Sequence, residues 1–370
     1  MLKILSGKFV LLVSFLVLCV VQTSFASESG SRWLVSPELL EHARLKTLWE
    51  NELPIKKTDS LEQLLILGNR IYALSHRSYM ISLNREKGNM IFVKSFTPAG
   101  LPIEGLNLYG DELISIAGSK LFEIDPESGK DRKTLNVGFG IVCPAARNSS
   151  YFYLGGVDGR LHTLRANDKV QVFEAAAKNE SMITSIVADE TFVVFATDAG
   201  NVVGITPNRP RQLWPQFDAA GSIIGPMVRD GMSLFFASKD TNVYRVDMVG
   251  LLGRRLIWKY QAAGVLERAP RVTQEVVYQY VPHKGLTAID KESGTFIWSV
   301  PGGAELLAEV KGKAYVITKK GTLEVMDNVR TKKLYSVNFA QVSRYAANTV
   351  DSKIYIADQR GRIACLQPVE

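Results

Sequence analysis

The sequence predicts an all-β fold, an eight-bladed β-propeller of four-stranded antiparallel blades. Three observations predict it: a unit of about forty residues repeats along the chain, each unit pairs two short apolar runs across a tight turn, and the N-terminal segment supplies what the last unit lacks. Taking Tyr72, Ile114, Tyr153, Val194, Phe235, Tyr278, Tyr315 and Tyr355 as equivalent, successive spacings are 42, 39, 41, 41, 43, 37 and 40 residues. A globular composition, 46% hydrophobic and 22% charged, supplies enough apolar side chains for such a ring and excludes a disordered or collagen-like chain.

Each unit is read outward from a central axis as strands A to D. Strands B and C are the apolar pair, as in Val193 to Ala196 with Val202 to Ile205, or Ala314 to Ile317 with Leu323 to Met326. Between them lie polar turns such as Val157-Asp158-Gly159-Arg160, which supply the residues a tight hairpin requires. The C–D turn is clearest in Asp125-Pro126-Glu127-Ser128-Gly129 and Asp290-Lys291-Glu292-Ser293-Gly294, where glycine accepts a positive φ. Strand D carries an aromatic at a repeated place: Phe92, Trp214, Trp258, Trp298 and Tyr335. One aromatic per unit at a fixed place predicts packing between neighbouring blades rather than a ligand-stacking row. Strand A precedes each pair, as in Leu64 to Leu67 and Ala304 to Val310, and Cys143 falls on that of blade three.

The last unit ends at Glu370, just after its C strand. Lys46 to Pro54 matches Thr295 to Pro301 and is expected to serve as the missing D strand, closing the ring and removing free sheet edges. Ahead of it, Ser36 as N-cap, Pro37 at the first helical position and Glu38 in the first turn predict a short helix.

Residues 1–26 read as a secretory signal. Lys3 and Lys8 precede the apolar stretch Phe9 to Val21, and Ser24 and Ala26 are small residues suited to cleavage after Ala26. Cys19, between Leu18 and Val20, lacks the flanks of an acylation site and belongs to the apolar stretch. The expected organisation is thus a signal (1–26), an extension with the helix (27–43) and the propeller (44–370), with no membrane anchor after cleavage. Cleavage removes two lysines and no acid, lowering the formal charge from +7 to +5, too mild and too dispersed for a nucleic-acid binder. Cys143 and Cys365 then remain, on blades three and eight. Blades three and eight do not touch, so two buried thiols are expected rather than a disulfide.

Paired strands, the Asp-x-x-Ser-Gly turn and the D-strand tryptophan together resemble the PQQ-like repeat, over roughly residues 44 to 370. Quinoprotein dehydrogenases and the outer-membrane assembly propeller BamB share that repeat. The resemblance implies the fold; BamB, the nearest functional analogy, implies a scaffold. The dehydrogenases' chemistry does not carry over, since the chain is much shorter than they are and has no adjacent cysteine pair. No cofactor and no catalytic residue is therefore expected. His42, His76, His162 and His283 are scattered and read as surface residues, so no metal site is expected. Gly155 to Gly159 joins two strands rather than opening a helix, so it reads as a hairpin and not a phosphate loop.

One functional lead stands out. Arg77 in blade one, Lys239 in blade five, Lys284 in blade six, Lys319 and Lys320 in blade seven, and Arg360 and Arg362 in blade eight all fall at B–C turns, which share one face of the ring. Blades two to four offer Lys120 and Arg160 but also Asp158 and Asp198, so that face is electrically lopsided. The resulting expectation is an exported, non-catalytic scaffold of the cell envelope, periplasmic or extracellular, whose basic arc attracts an acidic protein partner. Alternatives are a module that binds an extracellular glycan or other acidic ligand on the same arc, and a quinoprotein-type oxidoreductase.

Overall fold

The computed structural model describes residues 33–96, 103–249 and 253–369; the signal read over residues 1–26 lies outside the described residues. Eight four-stranded sheets make up the described part. Seven are formed by consecutive strands, spanning 61–95, 103–136, 146–176, 183–218, 228–261, 271–301 and 303–338, and these are blades one to seven. Blade eight takes its inner three strands from 344–368 and its outer strand, Leu45–Glu52, from the N terminus. Every pairing within a blade is antiparallel, for example Tyr278↔Ala288 and Ala288↔Trp298 in blade six.

Strands B and C are apolar on both sides because a neighbouring blade covers each face. Val193–Thr197 and Asn201–Ile205 are buried at every position, so they read as continuous apolar runs rather than an alternation. The outer strands meet water, and Asp131–Asn136 is almost wholly exposed. The core is accordingly divided among the gaps between blades. One cluster joins Phe235 and Trp258 of blade five to Val277 and Ile289 of blade six, and another joins Tyr355 and Cys365 of blade eight to Ile71 and Ile81 of blade one.

The closing strand pairs Thr47 with Leu366 and Trp49 with Cys365. The Leu53 N–H donates to the Gly361 carbonyl (2.8 Å) and the Leu61 N–H to the Gln359 carbonyl (2.9 Å), carrying the seam on into blade one. The helix Pro37–His42 precedes this strand; the Leu39 N–H donates to Ser36 Oγ at its start, and Leu40 is buried beneath it.

The outer aromatics follow one construction. The ladder slips by one residue just before Trp49, Phe92, Trp258, Trp298 and Tyr335, a β-bulge that re-aims the side chain. Three of these rings then lie on the C–D turn glycine of the next blade: Trp49 on Gly88, Phe92 on Gly129 and Trp258 on Gly294. Each glycine has φ near +70°, so the position needs glycine twice over, for its backbone and for the room. The indole Nε1 of Trp49 donates to the Arg85 carbonyl (3.2 Å) and that of Trp258 to the Lys291 carbonyl (2.9 Å), in the same turns. Trp214 departs from the expectation. Strand D of blade four is only Phe217–Asp218, because Pro215 has no N–H for the ladder, and Trp214 packs back on Gly204 of its own blade.

Two smaller corrections concern single residues. Cys143 precedes strand A of blade three, which is only Ala146–Arg147, although an isolated bridge, Ile141↔Gly156, continues the pairing past it. His162 is buried rather than on the surface, since strand C is enclosed by neighbouring blades; its ring stacks on Phe139 at 4.0 Å and its Nε2 lies 3.0 Å from Asp158.

Candidate functional site: the two faces of the ring

The A–B and C–D turns form one face, and the B–C turns with the D–A connections form the other. On the first face, charged and polar groups are spent joining each blade to the next. Arg85 of blade one donates to Asp351 of blade eight (2.7 Å) and to the Tyr355 hydroxyl (3.1 Å). Arg70 pairs with Glu127 across blades one and two, Lys169 with Glu123 across two and three, Arg229 with Asp189 across four and five, and Lys291 with Asp230 across five and six. Between blades six and seven, the Tyr278 hydroxyl donates to Glu309 (2.5 Å) and Asn328 donates to Tyr278 (2.7 Å). Burial and the adjoining Glu309 carboxylate raise the Tyr278 phenol far above its ordinary range, so it stays a neutral donor. Tyr278 and Tyr355, two of the repeat-marking tyrosines, are thus ties between blades, a role their spacing alone does not disclose.

The second face holds the basic arc. Arg77, Lys239, Lys319, Lys320 and Arg360 are exposed there at B–C turns, and Lys284 and Arg362 are half-buried. Two of the seven are neutralised locally: Lys239 lies 2.8 Å from Glu267, and Arg362 Nε lies 2.7 Å from Asp358. Two rest on rings, Lys284 over Phe296 at 5.6 Å and Lys319 over Tyr280 at 5.1 Å. On blades three to five, exposed apolar residues occupy the same face: Val157 in a B–C turn, and Met182, Ile224 and Val265 in or beside D–A connections.

At the inner rim of this face, strands A of blades six to eight bring together side chains that sequence reasoning passed over. Arg271 makes a two-pronged pair with Glu305 (3.0 and 2.8 Å), and burial works against the guanidinium charge that this carboxylate sustains. Arg268 lies over the Tyr280 ring at 4.3 Å, the ring that Lys319 also approaches, and Arg344 donates from Nε to the Leu61 carbonyl (2.8 Å). These residues lie in different repeats; only the closed ring brings them to one rim.

Cys143 and Cys365 are both free and buried, which pushes their thiols up to about 12 and about 11. Gly155 to Gly159 is a hairpin: the Gly159 N–H donates to the Gly156 carbonyl (3.1 Å), with Gly159 at φ 77°. Among the described residues no three His, Cys, Asp or Glu side chains are grouped to hold a metal ion, and no helix is long and apolar enough to cross a membrane.

Residues 199–369 match the family model described as outer membrane protein assembly factor BamB. The resemblance to the PQQ-like repeat propellers therefore holds. Among solved structures, BamB from Moraxella catarrhalis superposes with a TM-score of 0.66 at 14% identity, covering 87% of this chain and 99% of that one. The computationally designed Ika8 protein gives 0.65 at 12% identity (85% and 98%), and the C-terminal WD40 domain of Sif2 gives 0.64 at 12% identity (87% and 98%). A comparison with curated proteins finds no match. At these identities the structural likeness establishes the propeller fold, and sites have to be argued from this chain's own residues.

Proposed function

We propose that the chain is an exported, non-catalytic propeller that serves as a docking scaffold in the cell envelope, and that its partner seats on the face of the B–C turns. One observation carries this reading: ion pairs and hydrogen bonds join blade to blade on the opposite face, whereas Arg77, Lys320 and Arg360 on this face have no carboxylate within 4 Å among the described residues. Exposed Val157, Met182, Ile224 and Val265 beside that arc favour a protein partner over a purely ionic ligand, because desolvated apolar area holds a complex while charge steers it. The match to a family model described as an outer membrane protein assembly factor supports an envelope setting and a protein partner. Membrane attachment through Cys19 is not part of this reading.

Mild cross-linking of the tagged protein in its native envelope fraction, followed by mass spectrometry, tests it. The expected result is stoichiometric recovery of an envelope protein with the wild type, and its loss after Lys319→Glu, Lys320→Glu and Arg360→Glu are combined. Recovery of the propeller alone, or equal recovery with the charge-reversed variant, overturns the scaffold reading or its assignment to this face.

A further inference from the structure

The cationic rim of the channel on the same face, between blades six and eight, has a chemistry of its own. Tyr280, near the end of strand B of blade six, has the Arg268 guanidinium 4.3 Å and the Lys319 ammonium 5.1 Å from its ring centroid. Arg268 is held by a long contact from Nη1 to the Ala304 carbonyl (3.4 Å). Arg344 is fixed through Nε to Leu61 and through Nη1 to the Ser343 carbonyl (2.8 Å), which leaves Nη2 uncommitted. Tyr345 follows it on strand A of blade eight. Burial and then the Glu305 carboxylate raise the Tyr345 phenol while Arg268 and Arg344 act to lower it, so one hydroxyl lies within electrostatic reach of both cations, with Glu305 held by Arg271.

The nearby acids are already engaged. Glu305 is saturated by Arg271, and Glu267 faces Lys239. Arg268, Arg344 and Lys319 have no carboxylate within 4 Å among the described residues, and neither the Tyr280 nor the Tyr345 hydroxyl has a hydrogen-bond partner there. Three like charges gathered around two tyrosines whose hydroxyls bond no described protein group repel one another, and an oxyanion set among them would relieve that repulsion and accept their hydrogen bonds.

We propose that this rim is a binding site for the oxyanion group, carboxylate or phosphate, of a small anionic ligand, held by Arg268, Arg344 and Lys319 with the hydroxyls of Tyr280 and Tyr345. It does not rest on the scaffold reading: the two share Lys319, but an anion held at this rim requires no partner on the outer arc.

Isothermal titration of the residue 27–370 protein with citrate and, separately, inorganic pyrophosphate tests it at low and at high salt. Saturable one-to-one binding of at least one probe, weakening as salt rises, is the expected result, and the stronger probe distinguishes carboxylate from phosphate. Arg268→Gln with Lys319→Gln, both on exposed loops, is expected to weaken binding about tenfold or more, the scale of losing charge-assisted hydrogen bonds. Lys332→Gln, exposed on strand D of the same blade seven, is expected to leave it unchanged. Absence of saturable binding by both probes, or an equal loss in Lys332→Gln and the double variant, overturns the assignment.

Discussion

Alanine at Gly294 probes how one blade grips the next. Its Cβ would stand 2.6 Å from Cγ and Cδ2 of Trp258 in the preceding blade, closer than Cβ contacts in folded proteins come. The ring cannot retreat without giving up the 2.9 Å bond from Nε1 to the Lys291 carbonyl. Two costs combine. The backbone cost of a side chain at φ +71° is about 1–2 kcal/mol. Forcing a methyl into a filled gap costs typically about 1–3 kcal/mol more. Gly110→Ala isolates the first cost, because Gly110 has φ +58° and nothing within 4 Å of where its Cβ would be. Urea unfolding is therefore expected to show Gly294→Ala losing about 1–3 kcal/mol more than Gly110→Ala. In a Trp258→Ala background the difference between the two glycine variants should vanish, since the obstructing ring is gone. Equal losses in the wild-type background, or a difference that survives Trp258→Ala, would refute the claim that the indole and the turn glycine form the clasp.

Arg85→Leu removes the guanidinium donor from Asp351 and from the Tyr355 hydroxyl at the seam between blades eight and one; Asp351 keeps its bonds from Asn348 and the Lys353 N–H and is partly exposed, so the expected loss in chemical unfolding is about 2 kcal/mol. A loss under about 0.5 kcal/mol, the ordinary scatter of surface changes, would count against a seam role. Asp125 is held down to about 2 by hydrogen bonds from Arg132 and Ser128. A depressed carboxyl adds stability above its unfolded value of about 3.9 and loses it as pH falls through the folded one. Asp125→Asn is thus expected to flatten the unfolding midpoint between about pH 4 and pH 2 and to leave the slope at pH 6–8 as it was. In the residue 27–370 protein, Cys143 and Cys365 should react with a thiol-specific dye at pH 8 only after denaturation, and two free thiols should then titrate; prompt labelling of the native protein would contradict their burial.

Periodicity made the ring legible because a blade is a local object. Strands B and C are contiguous in sequence and buried on both faces, so their composition declares them, and the turn Asp290 to Gly294 carries its own backbone chemistry, with Asp290 accepting from the Ser293 N–H (2.7 Å). Ring closure was equally readable, since Lys46 to Pro54 repeats the outer-strand pattern that the last unit lacks. Trp214 was misplaced because an aromatic one residue off register looks the same in sequence, and only the interrupted ladder at Pro215 shows that it turns back onto Gly204. His162 was misjudged for a related reason: a lone polar residue in an apolar strand does not announce whether Asp158 and Phe139 wait beside it.

The repeat, the blade count, the closing strand and the face on which Arg77, Lys239, Lys284, Lys319, Lys320, Arg360 and Arg362 lie are all legible in the chain, because each follows from local pattern multiplied around an axis. Which charges are consumed depends on the closed ring: Arg85, Arg70 and Lys291 fasten neighbouring blades, Glu267 and Asp358 cancel part of the arc, and Arg268 and Lys319 share the Tyr280 ring while Arg268 and Arg344 both act on Tyr345. An electrostatic partner is chosen by distance in space, and residues as far apart in the chain as Arg85 and Asp351 become neighbours only when the ring shuts.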